Sequence, residues 1–313
     1  MKKNRTTMKK ILMGLISLSL LLLLNISAVQ QRPLKQPEVP YVPTPEKVVE
    51  EMLKMANVQK DDVLYDLGCG DGRIVITAAL TKGCRGVGID IDPQRIQESR
   101  QNAIDAGVED KVEFLLHDLF ETDISKASVV TLYLLSSVNL RLRPILFRDL
   151  EPGTRVVSHD FSMGDWKPHE SIEMELETPA NENFYSESYW DRHSVYFWII
   201  PANVTGTWNW TMDAGSKKKD YSLKLDQNFQ KIEGTAVEGS KSILLTIPDG
   251  HIIGDTLKFT LERKVGGQTE RLHFEGTVKG HTVEGTVKIE GQSGSSNKWK
   301  ARRNPSTFKS IEK

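Results

Sequence analysis

Between residues 45 and 160 short apolar runs alternate with amphipathic stretches of about ten to fourteen residues, and this alternation narrows the fold more than any other feature of the chain. Thr44 is a candidate N-cap and Pro45 stands at the first helical position. Val48, Val49, Met52, Leu53 and Ala56 then fall on one helical face. Strands are expected at 63–67, 86–91, 112–116, 129–135 and 155–158, with helices at 74–80, 93–106 and 139–150. Strands separated by helices form a parallel sheet covered on both faces. Such sheets bind ligands outside the carboxyl ends of their strands. Runs at 172–176 and 195–200 are expected to finish the sheet as antiparallel strands.

The turn after the first of these strands reads Asp66-Leu67-Gly68-Cys69-Gly70-Asp71-Gly72-Arg73. Glycines there allow a sharp turn and let a ligand approach the backbone. The dinucleotide pattern GxGxxG would need glycine where Arg73 stands, so a pyrophosphate site is disfavoured. The second strand ends in Asp90, 22 residues beyond Gly68, where a carboxylate can accept hydrogen bonds from a ribose diol. Asp118 ends the next strand.

This ordered set resembles motif I and its successors in class I S-adenosylmethionine-dependent methyltransferases. The resemblance implies a Rossmann-like seven-strand α/β domain in which Asp66, Gly68 and Gly70 line the methionine moiety of S-adenosylmethionine. It further implies that Asp90 holds the ribose and that Asp118 faces the adenine amino group. With Pro40-Tyr41-Val42-Pro43-Thr44-Pro45 and Thr131-Leu132-Tyr133-Leu134-Leu135 added, residues 40–165 resemble a narrower group. These are the protein-lysine methyltransferases of the mitochondrial ATP-synthase c-subunit and adenine nucleotide translocase type. That likeness implies Tyr41 and Thr44 among the cofactor-binding residues. It also implies a lysine amine on a protein as acceptor, the mitochondrial relatives acting on membrane proteins.

Methyl transfer is an in-line displacement, so positioning and desolvation supply much of the rate. A lysine must first lose its proton, which an apolar channel favours. Tyr133 is expected to line that channel, with Ser136, Ser137 and Asn139 just beyond it, and Tyr133 and Asn139 are the catalytic candidates. His159 and Asp160 follow the fifth strand, but neighbours on a strand face opposite sides, so both are not expected to serve together. His159 reads as a solvated loop residue and Trp166 as a gate at the entrance. Two alternatives stay open: the same cofactor with a small-molecule or lipid acceptor, and a noncatalytic exported binding protein on this fold.

Residues 1–10 carry five cations and no acid, and residues 11–24 are an apolar run, the pattern of a secretory signal peptide cleaved after Ala28 or retained as an anchor. Either way the rest is expected outside the cytoplasm. Five prolines between Gln30 and Pro45 then read as a linker, 29–44. A methyltransferase domain is expected over 45–202. Lys and Arg total 41 against 42 acids, a net charge of −1 with 27% charged residues. That balance excludes a disordered chain, a basic nucleic-acid coat and a polytopic membrane protein, and no nucleic-acid partner is expected. Cys69 and Cys84 fall at opposite ends of the sheet and are expected as free core thiols.

From residue 204 the pattern changes to short strands at 206–210, 221–225, 234–235, 242–247, 256–261, 272–278, 282–289 and 299–302. About eight such strands without a helix indicate a smaller antiparallel barrel or sandwich over 203–303, followed by a tail, 304–313. Its opening Gly-Thr-Trp and closing Trp-Lys-Ala-Arg resemble lipocalin-like barrels. It is expected to dock the acceptor or to hold an apolar molecule in its interior. Gly276-Thr277-Val278 and Gly285-Thr286-Val287 repeat nine residues apart. His251, His273 and His281 lack ligand spacing, no metal site is expected, and Lys217, Lys218 and Lys219 read as a solvated turn.

Overall fold

The computed structural model describes residues 36–176, 192–214, 217–239, 243–265, 267–291 and 296–311. The expected signal or anchor and the start of the proline-rich stretch lie outside them. No helix among the described residues is long and apolar enough to cross a membrane.

Helix α1 (Glu46–Met55) leads into β1 (Val63–Leu67), α2 (Arg73–Lys82), β2 (Arg85–Asp90), α3 (Pro93–Asp105), β3 (Val112–Leu116), β4 (Val129–Leu132), α4 (Ser136–Asp149) and β5 (Arg155–His159). Two antiparallel strands, β6 (Glu170–Glu175) and β7 (Arg192–Ile199), complete a seven-stranded sheet of order β3-β2-β1-β4-β5-β7-β6. The apolar stripe Val48, Val49, Met52 and Leu53 of α1 is buried as its spacing predicts. The cap is not as expected. Pro45 occupies the N-cap position with no side-chain hydrogen bond, because the Thr44 hydroxyl meets His159 Nδ1 at 3.3 Å. Both cysteines are buried and free.

The carboxy-terminal half is a closed antiparallel barrel. Strands β8 (Gly206–Ala214), β9 (Lys217–Asn228), β10 (Lys231–Glu238), β11 (Ile243–Thr246), β12 (Gly250–Ile253), β13 (Thr256–Val265), β14 (Gln268–Lys279), β15 (Thr282–Ile289) and β16 (Asn297–Arg303) run round it, and β16 returns to β8. Both β11 and β12 lie between β10 and β13, so nine strands fill eight positions, one of them interrupted. The interruption is why β12 has no counterpart among the strands expected from sequence. Lys217–Lys219 are strand rather than turn, and the Lys219 ammonium pairs with the buried Glu238 carboxylate.

The barrel interior is filled by rings. Trp210 stacks on Tyr221 at 5.0 Å between centroids, Phe259 on Phe274 at 4.7 Å, and Trp299 meets Phe274 edge-on at 5.0 Å. Eight strands enclose a space that side chains can fill, and these rings occupy the room expected for an apolar ligand. At the end of the barrel the Arg303 guanidinium lies 5.0 Å from the Trp208 ring and donates to the carbonyls of Asn203 and Gly280.

The repeated glycines have a packing reason. Gly276 and Gly285 face each other across β14 and β15. A Cβ on Gly285 would stand 1.9 Å from the Glu275 carbonyl oxygen, and one on Gly276 3.2 Å from the Trp299 indole. Gly285→Ala therefore has to part the two strands, and overpacking of this kind costs about 1–3 kcal/mol. Urea unfolding should show a loss of about 1 kcal/mol or more, whereas an unchanged midpoint would mean that the strands part freely there.

The β9–β10 hairpin tip carries Phe229 at φ +55°, seated in the methyltransferase-side core. Phe229 lies 5.7 Å from Phe147 and 6.1 Å from Trp166. The Arg143 guanidinium covers it at 4.9 Å, and Gln230 Nε2 donates to the Lys167 carbonyl at 2.8 Å. Trp166, expected as a gate, is therefore a fully buried residue between the two halves.

Candidate active site

The chain passes from β1 to β2 and β3 on one side of the sheet, then to β4 and β5 on the other. The order reverses between β1 and β4, which is where sheets of this type open a crevice at their carboxyl ends. The glycine turn follows β1 directly. Gly68, Gly70 and Gly72 have φ of +84°, +53° and +80°, a region that side chains rarely tolerate. A Cβ at Gly70 would stand 2.6 Å from the Tyr41 ring, which lies on the turn with the Arg95 guanidinium 4.4 Å away. Arg73 pairs with Asp71 at 2.7 Å and donates to the Thr44 carbonyl at 2.9 Å. The segment before α1, expected as part of a linker, is thus fastened across the turn and carries both Tyr41 and Thr44 to the site.

Three carboxylates stand at adjacent strand ends. Asp66 is fully buried and accepts from the Thr131 hydroxyl at 2.8 Å. Burial pushes its carboxyl up to about 7, reinforced by Asp90 and Asp71 and opposed by the Thr131 hydrogen bond. Asp90 is fixed from both sides: its Oδ2 accepts from the Gly70 N–H at 2.9 Å and its Oδ1 from the Asp92 N–H at 2.9 Å. Each oxygen keeps a further lone pair for a ligand. Asp118 lies two residues past β3 and accepts from the Phe120 N–H at 2.9 Å.

A second cluster lies beyond β4 and β5. Tyr133 is the first residue after β4, partly buried, with its ring 3.8 Å from the His159 ring and 6.2 Å from Phe161. Burial first and the nearby Asp160 carboxylate second push its hydroxyl up to about 12, so it keeps its proton at neutral pH. His159 is fully buried at the end of β5, not in a solvated loop. Burial holds its imidazole well below the usual histidine range.

The strand-alternation argument fails at Asp160. Its φ is +58°, so the chain leaves the strand there and the carboxylate folds back to 3.2 Å from His159 Nε2. His159 and Asp160 therefore do act at one place. His193, on β7, joins them 3.0 Å from His159 Nε2. It lies outside the strand expected at 195–200, so its approach emerges only once β7 is paired with β5. Asn139 meets this cluster through the loop after β5. It is buried in α4, where its Nδ2 donates to Ser158 Oγ at 3.3 Å and to the Phe161 carbonyl at 3.0 Å, leaving Oδ1 without a partner. Its Nδ2 holds the loop after β5, while Ser136 and Ser137 are exposed at the start of α4.

Comparison with known proteins places the domain in a family. A family model described as the ANTKMT methyltransferase domain matches residues 66–170. A protein-lysine N-methyltransferase of Saccharolobus islandicus is 47% identical over 165 residues, covering 52% of this chain and 95% of that protein. The chain belongs to this methyltransferase family. The methyltransferase is also 35% identical over 130 residues to the human ATP synthase c-subunit lysine N-methyltransferase, covering 42% of this chain and 55% of that one. A crystal structure described as an RNA methyltransferase from Salinibacter ruber, in complex with S-adenosyl-L-homocysteine, is 55% identical. It covers 52% of this chain and 96% of its own, with a TM-score of 0.46.

The methyltransferase's own residues fit an S-adenosyl cofactor. The buried Asp66 carboxylate has no cation in hydrogen-bond reach among the described residues and suits a ligand's ammonium. Asp90, with both oxygens aimed by backbone donors, suits a ribose diol.

Proposed function

We propose that the protein methylates lysine side chains of another protein, using S-adenosylmethionine, and that it does so outside the cytoplasm. The observation that carries this reading is two kinds of polar group at one end of the parallel sheet: carboxylates at the ends of β1 and β2, and Tyr133 and Asp160 just past the ends of β4 and β5. The similarity to the Saccharolobus protein-lysine N-methyltransferase over nearly its full length supports the substrate class. The cationic start and apolar run at 11–24 support the location. In this reading Asp66, Gly68 and Gly70 hold the methionine end, Asp90 the ribose and Asp118 the adenine, with Tyr41 and Thr44 closing the turn from above.

S-adenosylmethionine, when bound, supplies an electrophilic methyl group. The chain supplies position and a dry setting. The Tyr133 hydroxyl stays protonated at neutral pH, and its oxygen has lone pairs that accept from an amine N–H and orient the nitrogen lone pair. Leu134, buried against the glycine turn, and Phe161, stacked near Tyr133, keep water from the acceptor. Desolvation of this kind favours the neutral amine, the form that reacts.

The test is transfer of labelled methyl from S-adenosylmethionine to fractionated protein, RNA and lipid, followed by hydrolysis and mass spectrometry. Methyl-lysine should appear, and Tyr133→Phe should lower kcat about tenfold or more with cofactor affinity unchanged. Label in RNA or lipid would replace the substrate class. Cofactor binding without transfer to any fraction would leave a noncatalytic binding protein.

A further inference from the structure

The grouping of His159, Asp160 and His193 has a geometry that the methyl-transfer reading does not require. Three electron-pair donors converge there: His159 Nε2 and His193 Nδ1 are 3.0 Å apart, His159 Nε2 and Asp160 Oδ2 3.2 Å, and His193 Nδ1 and Asp160 Oδ2 3.7 Å. Zinc holds imidazole nitrogen and carboxylate oxygen at about 2.0–2.2 Å, and tetrahedral coordination then puts neighbouring donors roughly 3.3–3.5 Å apart. The three observed separations bracket that value. It is the one such group among the described residues.

Two of the three donors are aimed from behind. His159 turns its other nitrogen to the Thr44 hydroxyl at 3.3 Å. Asp160 Oδ1 accepts from the Ser194 N–H at 2.8 Å, and the Asp160 N–H donates to the Ser194 carbonyl at 2.7 Å. Partners on the far side of the ligands are what orient a metal's imidazoles and carboxylates. The left-handed backbone at Asp160 serves the same end, since an extended residue there would send its carboxylate away from His159.

We propose that His159 Nε2, Asp160 Oδ2 and His193 Nδ1 form a site for a divalent transition metal of the zinc class, leaving a fourth position to water. Two nitrogen donors favour zinc or cobalt over magnesium or calcium, which take oxygen ligands. The site clasps the end of β5 to the start of β7 beneath Tyr133. Cationic charge at that point adds to the forces that disfavour an ammonium in the acceptor pocket. The metal site itself does not depend on the acceptor being lysine.

The experiment uses untagged full-length protein stripped with a chelator. Zn²⁺ is titrated against a chromophoric competitor, and Co²⁺ is then added as a spectroscopic probe. One equivalent of Zn²⁺ should bind, and Co²⁺ should give the intense visible bands of a four-coordinate nitrogen and oxygen site. His193→Ala and Asp160→Asn should each weaken Zn²⁺ binding tenfold or more and remove those bands. Asparagine tolerates the left-handed backbone and keeps an acceptor for Ser194, so Asp160→Asn remains informative if the histidine variant does not fold. Absence of competitive binding to the native chain, a six-coordinate aqueous Co²⁺ spectrum, or equal affinity in either folded variant would each overturn the proposal. None of these readouts involves methyl transfer, so failure here and failure of the lysine reading are separable.

Discussion

Asp90→Ala should weaken S-adenosylmethionine binding by a hundredfold or more in a calorimetric titration. A diol donating to a carboxylate makes two charge-assisted hydrogen bonds, each contributing about 1.5–3 kcal/mol. Even the lower figure, taken twice, corresponds to about two powers of ten in affinity. The substitution also strips the acceptor from the Gly70 and Asp92 N–H groups, so part of the loss comes from a slackened turn. A cofactor analogue lacking the 2′-hydroxyl separates the two contributions. Native protein should bind the analogue at least tenfold more weakly, whereas Asp90→Ala should not distinguish it. Equal affinity of the native protein for both ligands would remove the ribose from Asp90.

Cofactor affinity should also depend steeply on pH because of Asp66. In the cofactor-free protein this carboxyl titrates at about 7, far above its ordinary 3.8, chiefly because it is buried. A ligand cation is held only by the ionised form. Below pH 7 the protein must first ionise Asp66, so Kd should rise about tenfold for each pH unit, down to the lower pKa of the complex. Above pH 7 it should level off until the ligand's own ammonium begins to lose its proton. Binding at pH 6 should release a proton, measurable as a buffer-dependent heat. Asp66→Asn should abolish both the slope and the heat. Stability runs the opposite way. The native state binds this proton more tightly than the unfolded chain, so the cofactor-free fold loses stability as pH rises from about 4 to about 7, by up to about 4 kcal/mol. Asp66→Asn should therefore raise the melting temperature at pH 8 and leave it nearly unchanged at pH 4. A pH-independent Kd between 5 and 8 would place the ligand's cation elsewhere.

The parts of this site legible in the sequence are those whose chemistry and conformation share one local signal. Asp66, Gly68, Gly70 and Asp90 sit at strand ends marked by apolar runs and glycines, and Tyr133 closes another such run. His159, Asp160 and His193 are hidden for different reasons. His159 follows an apolar run but is polar, which suggests a solvent-facing residue, although its partners come from 115 and 34 residues away. Asp160 breaks the two-residue alternation through a positive φ that nothing in its neighbours announces, apart from the tolerance of Asp for that region. His193 depends on the register of β7 against β5. In the barrel, spacing locates most strands but not β12, because an interrupted strand looks like a loop. Trp166 misleads in another way: an aromatic after a strand reads as part of the crevice until the Phe229 hairpin is known to cover it.

That hairpin bears on how the molecule comes apart. The Phe229 ring belongs to the barrel by sequence and to the other half by its neighbours, Phe147, Trp166 and Arg143. Neither half can open at this boundary without exposing the other's aromatic surface, so the two halves are expected to melt in one transition despite two separate sheets. Losing the barrel would take Phe229 from Phe147 and Trp166 and open that aromatic surface to water.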